Sequence, residues 1–248
     1  MLRNFKEEVF DILIQAGQSN SEGTGYGPAD RPFEPDDRIF YLNGDDTISR
    51  AAEQVSGNAV RSDFSLSFAK NYVEKGLLRD GRKLLIVRSA VGGTGFLDRR
   101  WGLRDDLFLR MIEMSKTALC LHPSNRIVGL LWHQGETDAD LGADRDGHYK
   151  RLWDLVEAVR SVFGSPDLPF LAGDFVEQWR KAGPQKADPV RAAMRDVCKN
   201  AGCAAFVETD GLASNDQQLG NGDTIHFSRN ALAQLGERYF EAFYQLLA

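Results

Sequence analysis

Residues 10–23 read FDILIQAGQSNSEG, and the reading of this stretch decides the fold. The apolar run from Phe10 to Ile14 stops at Gln15-Ala16-Gly17, and the polar Gln18-Ser19-Asn20 follows at once. A short apolar segment ending at a glycine is the pattern of a buried strand opening into a loop. In an open α/β sheet, ligands and catalytic groups gather at the carboxyl ends of strands. Ser19 therefore stands where an exposed hydroxyl can act as a nucleophile. A polar loop with an ordinary serine explains the same residues, and the choice turns on the rest of the chain.

Working outward, apolar runs recur at 38–42, 84–90, 127–133, 169–173 and 204–208. Amphipathic helical patterns alternate with them at 63–77, 104–121, 147–163, 187–200 and 229–247. This alternation predicts a parallel sheet with helices on both faces and right-handed connections. No repeat or low-complexity tract divides the chain, so residues 1–248 read as a single domain. Segments 21–37 and 209–227, rich in glycine with proline or Asn and Asp, read as long loops of the kind that carry function. Gln178 to Pro189 reads as a third irregular piece, suited to a substrate rim.

Hydrophobic residues at 42% and charged residues at 27% are ordinary for a globular protein. A net charge of −6 argues against a nucleic-acid or anionic-membrane binder, both of which need a basic field. The first residues lack an apolar signal core, and no run approaches the roughly 18–20 apolar residues that span a bilayer. Cys120, Cys198 and Cys203 form no C-x-x-C pair and read as reduced thiols. A cytoplasmic protein is the expectation, and the oligomeric state is left open.

Four pieces carry chemistry, each at an expected strand end or loop: Gly17-Gln18-Ser19-Asn20, Gly92-Gly93-Thr94-Gly95, Trp132-His133-Gln134-Gly135-Glu136-Thr137-Asp138, and Asp223-Thr224-Ile225-His226. A serine hydroxyl is a weak nucleophile without a base, and the base needs a partner to orient it. Asp223 and His226, three residues apart, can meet within one turn. Gly92 and Gly93 allow backbone N–H groups to approach a ligand closely, and the Gln134 amide adds a further donor. Ser228 is placed to cap the last helix. The glycine loop lacks the Walker lysine and a complete G-x-G-x-x-G, which argues against a nucleotide site. His133 reads as a structural histidine, and His133, Glu136 and Asp138 lack regular metal-ligand spacing.

Together GQSN, GGT, WHQGETD and DTIHFS resemble the carbohydrate acetylesterases of the SGNH-hydrolase superfamily, in the branch of the sialate O-acetylesterases and acetylxylan-esterase-related proteins. The resemblance runs from about residue 10 to residue 240. It implies a flavodoxin-like three-layer α/β/α fold with a parallel sheet of about five strands and no cofactor. By position it makes Ser19 the nucleophile, His226 the base and Asp223 its orienting acid. It places the oxyanion on the Ser19 amide, on Gly92 or Gly93, and on the Gln134 side chain. Glu136 is the alternative acid; its place beside Gln134 favours a supporting role, since the link from Asp223 to His226 is local. Ser21 and Thr137 stand where the family often has methionine and serine.

The expected activity is removal of acetyl groups from sugar hydroxyls through an acetyl-enzyme on Ser19. A lipid or thioester acyl hydrolase, or a silent carbohydrate-binding relative, would use the same fold. Tyr26, Phe33, Phe96, Trp101 and Trp179 are candidates to stack on a sugar. Arg99, Arg100 and Arg104 are placed to read an acidic sugar or else to pair with Asp98, Asp105 and Asp106.

Overall fold

The computed structural model describes residues 5–248. Strand β1 (Val9–Gly17) leads into a one-turn helix α1 (Ser19–Glu22), then β2 (Ile39–Leu42), β3 (Ile48–Arg50) and a small hairpin, β4 (Gln54–Ser56) and β5 (Ala59–Arg61). Helix α2 (Phe64–Glu74), β6 (Arg82–Arg88), α3 (Asp106–Cys120) and β7 (Arg126–His133) follow. The chain continues through α4 (Glu136–Asp140), α5 (Arg145–Phe163), β8 (Phe170–Gly173), α6 (Glu177–Ala182) and α7 (Pro184–Asn200). It ends with β9 (Ala204–Val207), α8 (Asn215–Leu219) and α9 (Arg229–Leu246).

The main sheet has seven strands in the order β3-β2-β6-β1-β7-β8-β9. All its pairings are parallel except β2 with β3. All six apolar runs of the sequence are strands of this sheet. The parallel part is thus one strand larger than the expected five, and β3 adds an antiparallel edge. That edge strand is three residues long with two of them exposed, so it carries no apolar signal to read.

Strand β1 lies in the middle and shows the logic of the core. Phe10, Ile12, Ile14 and Ala16 pack on the side of α3, and Leu13 packs on the side of α2 and α9. Successive side chains of a strand point to opposite faces, so a central parallel strand must be apolar on both. Helices α5 and α7 share the face of α3, which completes three layers. Each fully buried Ile, Leu or Phe contributes roughly 1.5–3 kcal/mol relative to exposure.

The polar exception at the amino end of β1 is buried Asp11. It accepts bonds from Arg82 (2.6 Å), Arg126 (2.7 Å) and Tyr72 (2.8 Å). Burial opposes its ionisation, but the bonds from Arg126, Tyr72 and Arg82 outweigh it and hold the carboxyl below the usual range. One carboxylate thus ties β1 to both neighbouring strands.

Gln178–Pro189 departs from the expected irregular piece: it is mostly helical, in α6 and the start of α7. Pro184 opens α7 where its missing N–H costs nothing. Segment 209–227 contains α8, started by a capping box between Ser214 and Gln217. Ser228 caps α9 as expected, accepting from the Ala231 amide at 3.2 Å.

The chain winds from β1 out to β2, back through β6, and then across β1 to β7, β8 and β9. Its direction reverses beside β1, and such a switch point leaves a crevice at the strands' carboxyl ends.

Candidate active site

The nucleophile candidate is the first residue of α1, directly beyond β1. Gly17 has φ +127°, and any Cβ there would collide with the His133 carbonyl. Only glycine lets β1 run this close to the end of β7. The Gln18 amide then donates to His133 O at 2.9 Å, and the Gln18 side chain accepts from the Thr137 amide at 3.2 Å. Ser19 is turned out of the sheet between these ties.

His226 Nε2 lies 2.9 Å from Ser19 Oγ. On the other side of the ring, Nδ1 lies 2.9 and 3.0 Å from the two oxygens of Asp223. With Nδ1–H donating to the carboxylate, Nε2 is left as an acceptor for the serine proton. All three groups are partly exposed at the carboxyl end of the sheet.

Asn215 and Asn20 build this arrangement; the sequence offers Asn20 only as part of GQSN, with no role of its own, and does not point to Asn215. Asn215 donates to Asp223 Oδ2 and to Thr24 O at 2.9 Å each, and its side-chain oxygen accepts from the Tyr26 amide. Its backbone N–H also donates to His226 O. Asn20 donates to Glu136 Oε1 at 2.8 Å and to Ile225 O at 3.0 Å, and accepts from the Phe227 amide. It therefore brackets the DTIHFS segment against the nucleophile turn. For Asn215 the available signal is the S-x-x-Q of the capping box beside it.

Glu136 is buried and makes no hydrogen bond to His226; its second oxygen has no partner among the described residues. Burial raises its pKa, against the bond from Asn20. The local pair of Asp223 and His226 is the one that forms.

The expected oxyanion donors differ in what they do here. The amides of Ser19 and Gly93 make no hydrogen bond among the described residues. The Gly92 amide donates to Glu22 Oε2 at 2.8 Å. Gln134 is buried, and its Nε2 donates to Asp138 Oδ2 (2.8 Å) and Thr94 O (3.2 Å). Both hydrogens of that amide are used, so in this geometry Gln134 braces the glycine loop. Asp138 extends the brace by accepting from the amides of Phe96 (3.0 Å) and Leu97 (2.7 Å).

His133 and His148 are structural. His133 Nδ1 lies 3.1 Å from Tyr239 Oη, whose proton goes to Trp132 O, and burial pushes its pKa down to about 3. Among the described residues no cluster of His, Cys, Asp and Glu is arranged to hold a metal. Phe96 and Trp101 are core, with Trp101 donating to Thr94 Oγ1 at 2.9 Å. Phe33 and Trp179 pack partly buried on the core, and Tyr26 is half-buried near Asn215. Arg100 forms a paired salt bridge with Asp106 at 2.9 Å, while Arg99 and Arg104 are exposed.

The sequence model of the sialic acid-specific acetylesterases, a carbohydrate esterase family, matches residues 9–245. The chain belongs to that family. A probable carbohydrate esterase of Arabidopsis thaliana is 26% identical over 251 residues, covering 94% of this chain and 89% of that one. A probable 9-O-acetyl-N-acetylneuraminic acid deacetylase of Escherichia coli K12 is 26% identical over 99 residues, which span 37% of this chain and 30% of that protein. Among solved structures, NanS superposes with a TM-score of 0.78 at 20% identity, covering 97% of this chain and 98% of its own. A carbohydrate acetylesterase from Xanthomonas citri superposes at 0.60 with 17% identity, over 95% of this chain and 56% of its own. At these identities the superpositions establish the fold. The Ser19, Gly92, Gln134 and His226 segments all lie within the range matched by this acetylesterase family.

Proposed function

We propose that the chain is a serine O-acetylesterase acting on acetylated carbohydrates, with sialic acids as the sugar class. The observation that carries the reading is the continuous line Ser19–His226–Asp223, every link at hydrogen-bond distance, in a member of a carbohydrate esterase family. The reading assigns Ser19 Oγ to attack the acetyl carbonyl while His226 Nε2 takes its proton. Asp223 holds the tautomer and stabilises the imidazolium. The proton passes to the departing sugar oxygen, leaving the acetyl group on Ser19. Water, deprotonated by His226, then releases acetate. The reading gives the developing oxyanion to the Ser19 amide and the glycine loop.

The acidic-sugar assignment draws on the family and on the Escherichia coli relative's name. No helix among the described residues is long and apolar enough to cross a membrane. Three free cysteines fit the reducing cytoplasm we assign to it.

The test is hydrolysis of esters from acetyl to octanoyl, alongside acetylated neutral and acidic sugars, by wild type and Ser19→Ala. Activity confined to short acyl groups and lost in the variant supports the acetylesterase. Preference for long acyl chains would give the site to a lipid hydrolase instead. Equal rates on neutral and carboxylated acetyl-sugars would remove the sialic acid assignment.

A further inference from the structure

Glu22 lies at the end of the short helix that Ser19 begins, and its Oε2 accepts the Gly92 N–H at 2.8 Å. Of the two glycines, Gly92 is the one packed on the nucleophile. A Cβ on Gly92 would lie 3.4 Å from Ser19 Cβ and 3.1 Å from Glu22 Oε2, whereas nothing stands within 4 Å of the same position on Gly93. The amide of the glycine packed on the nucleophile is thus already given to a carboxylate. A backbone N–H is a single donor, so Glu22 and an oxyanion compete for it.

The loop does not need Glu22 to hold its shape. The Val91 amide donates to Gly17 O (3.1 Å), Thr94 Oγ1 to Val91 O (2.7 Å) and the Gly95 amide to Asp98 (2.9 Å). Arg88 fixes residue 22 through its backbone, donating to Glu22 O at 2.8 Å. Among the described residues the carboxylate itself makes no hydrogen bond besides that to Gly92, so rotating it away breaks one contact. Glu22 also forms part of the wall of a cavity of about 300 Å³, together with Asn43, Gln54, Arg88 and Val91. The wall is mixed, with Leu107 and Met114 beside these residues, and its polar side suits the hydroxyl groups of a sugar.

We propose that Glu22 is a specificity-determining residue that masks the Gly92 amide until a sugar hydroxyl neighbouring the acetyl ester draws its carboxylate away. Acetylated polyols then free the oxyanion donor by binding, and simple esters, having no hydroxyl to offer, meet it occupied. The inference rests on the acetylesterase reading.

The experiment compares kcat/KM of wild type, Glu22→Ala and Glu22→Gln on p-nitrophenyl acetate and on 9-O-acetyl-N-acetylneuraminic acid. Thermal unfolding of each variant is followed in parallel. Glu22→Ala should raise the rate on the aryl ester by about tenfold, the size of one charge-assisted hydrogen bond, and lower that on the sugar. Glu22→Gln, which keeps an acceptor without the charge, should fall between. Loss on both substrates in equal proportion, or an unchanged ratio, overturns the proposal; if Glu22→Ala does not fold, the ratio in Glu22→Gln decides. Wild type cleaving the sugar with no selective change in the variants removes the Glu22 proposal alone. Wild type cleaving neither ester removes the acetylesterase reading and this inference with it.

Discussion

His226 Nε2 and Ser19 Oγ meet at 2.9 Å across 207 positions of sequence. Two asparagines bring them there, Asn20 from the nucleophile turn and Asn215 from the start of α8. Contacts that join distant segments must outweigh the chain entropy of ordering both, and seven polar bonds of the two asparagines contribute to this here.

Replacing Ser19 by alanine should lower kcat by about 10⁴-fold or more, and His226→Ala should match it. Because the two act as one unit, the double variant should be no worse than either single one. Unaltered melting temperatures would locate the effect in the chemistry, whereas full activity in a clean Ser19→Ala preparation would remove the mechanism.

Asp223→Asn should cost about 10³–10⁴ in kcat, since the amide favours the wrong tautomer of His226. Glu136→Gln should cost far less, because Glu136 touches Asn20 and not the imidazole. Asn215→Ala should fall between, by loosening Asp223. Steady-state kinetics on one acetyl ester rank the three, and the reverse order would make Glu136 the acid.

Asp138→Ala should destabilise the fold by roughly 3 kcal/mol or more, because it strands several buried donors. The amides of Phe96 and Leu97 and the Gln134 side chain all lose their acceptor. Urea unfolding measures the loss, and kcat should drop with it as the glycine loop loosens. A change below about 1 kcal/mol would show that the brace is not needed.

Stability should fall on mild acidification. His133 and His148 are pushed by burial to about 3 and about 4, below the ordinary value near 6.5. Between those limits the unfolded chain binds protons that the fold refuses, so stability rises with pH by at most about 1.4 kcal/mol per unit for each histidine. Burial raises Glu136 and Asp174, which oppose the trend. Comparing wild type with His148→Gln from pH 7 to pH 5 isolates one histidine, and identical slopes would contradict its burial in the neutral form.

Gly17→Ala should be among the most damaging single changes, since both the positive φ and the His133 carbonyl exclude a side chain. Soluble expression and a melting curve would report it, and a near-native melting temperature would refute the argument.

By itself the sequence determined the layered α/β fold, through six apolar runs alternating with amphipathic helices, because burial on two faces leaves a periodic record in the chain. It also carried the local pairing of Asp223 with His226, because the two need only one turn to meet. Tertiary structure alone decided the rest. The short polar edge β3 carries no apolar pattern, and the supporting roles of Asn20 and Asn215 exist only where separate loops converge. By position the resemblance offers Gln134 and Gly92 or Gly93 as oxyanion donors, yet whether such a donor is free depends on what stands beside it. Here Asp138 and Glu22 stand beside them, placed by a packed helix and a one-turn helix. A residue's chemistry is written in its side chain, and its availability is set by its neighbours in space.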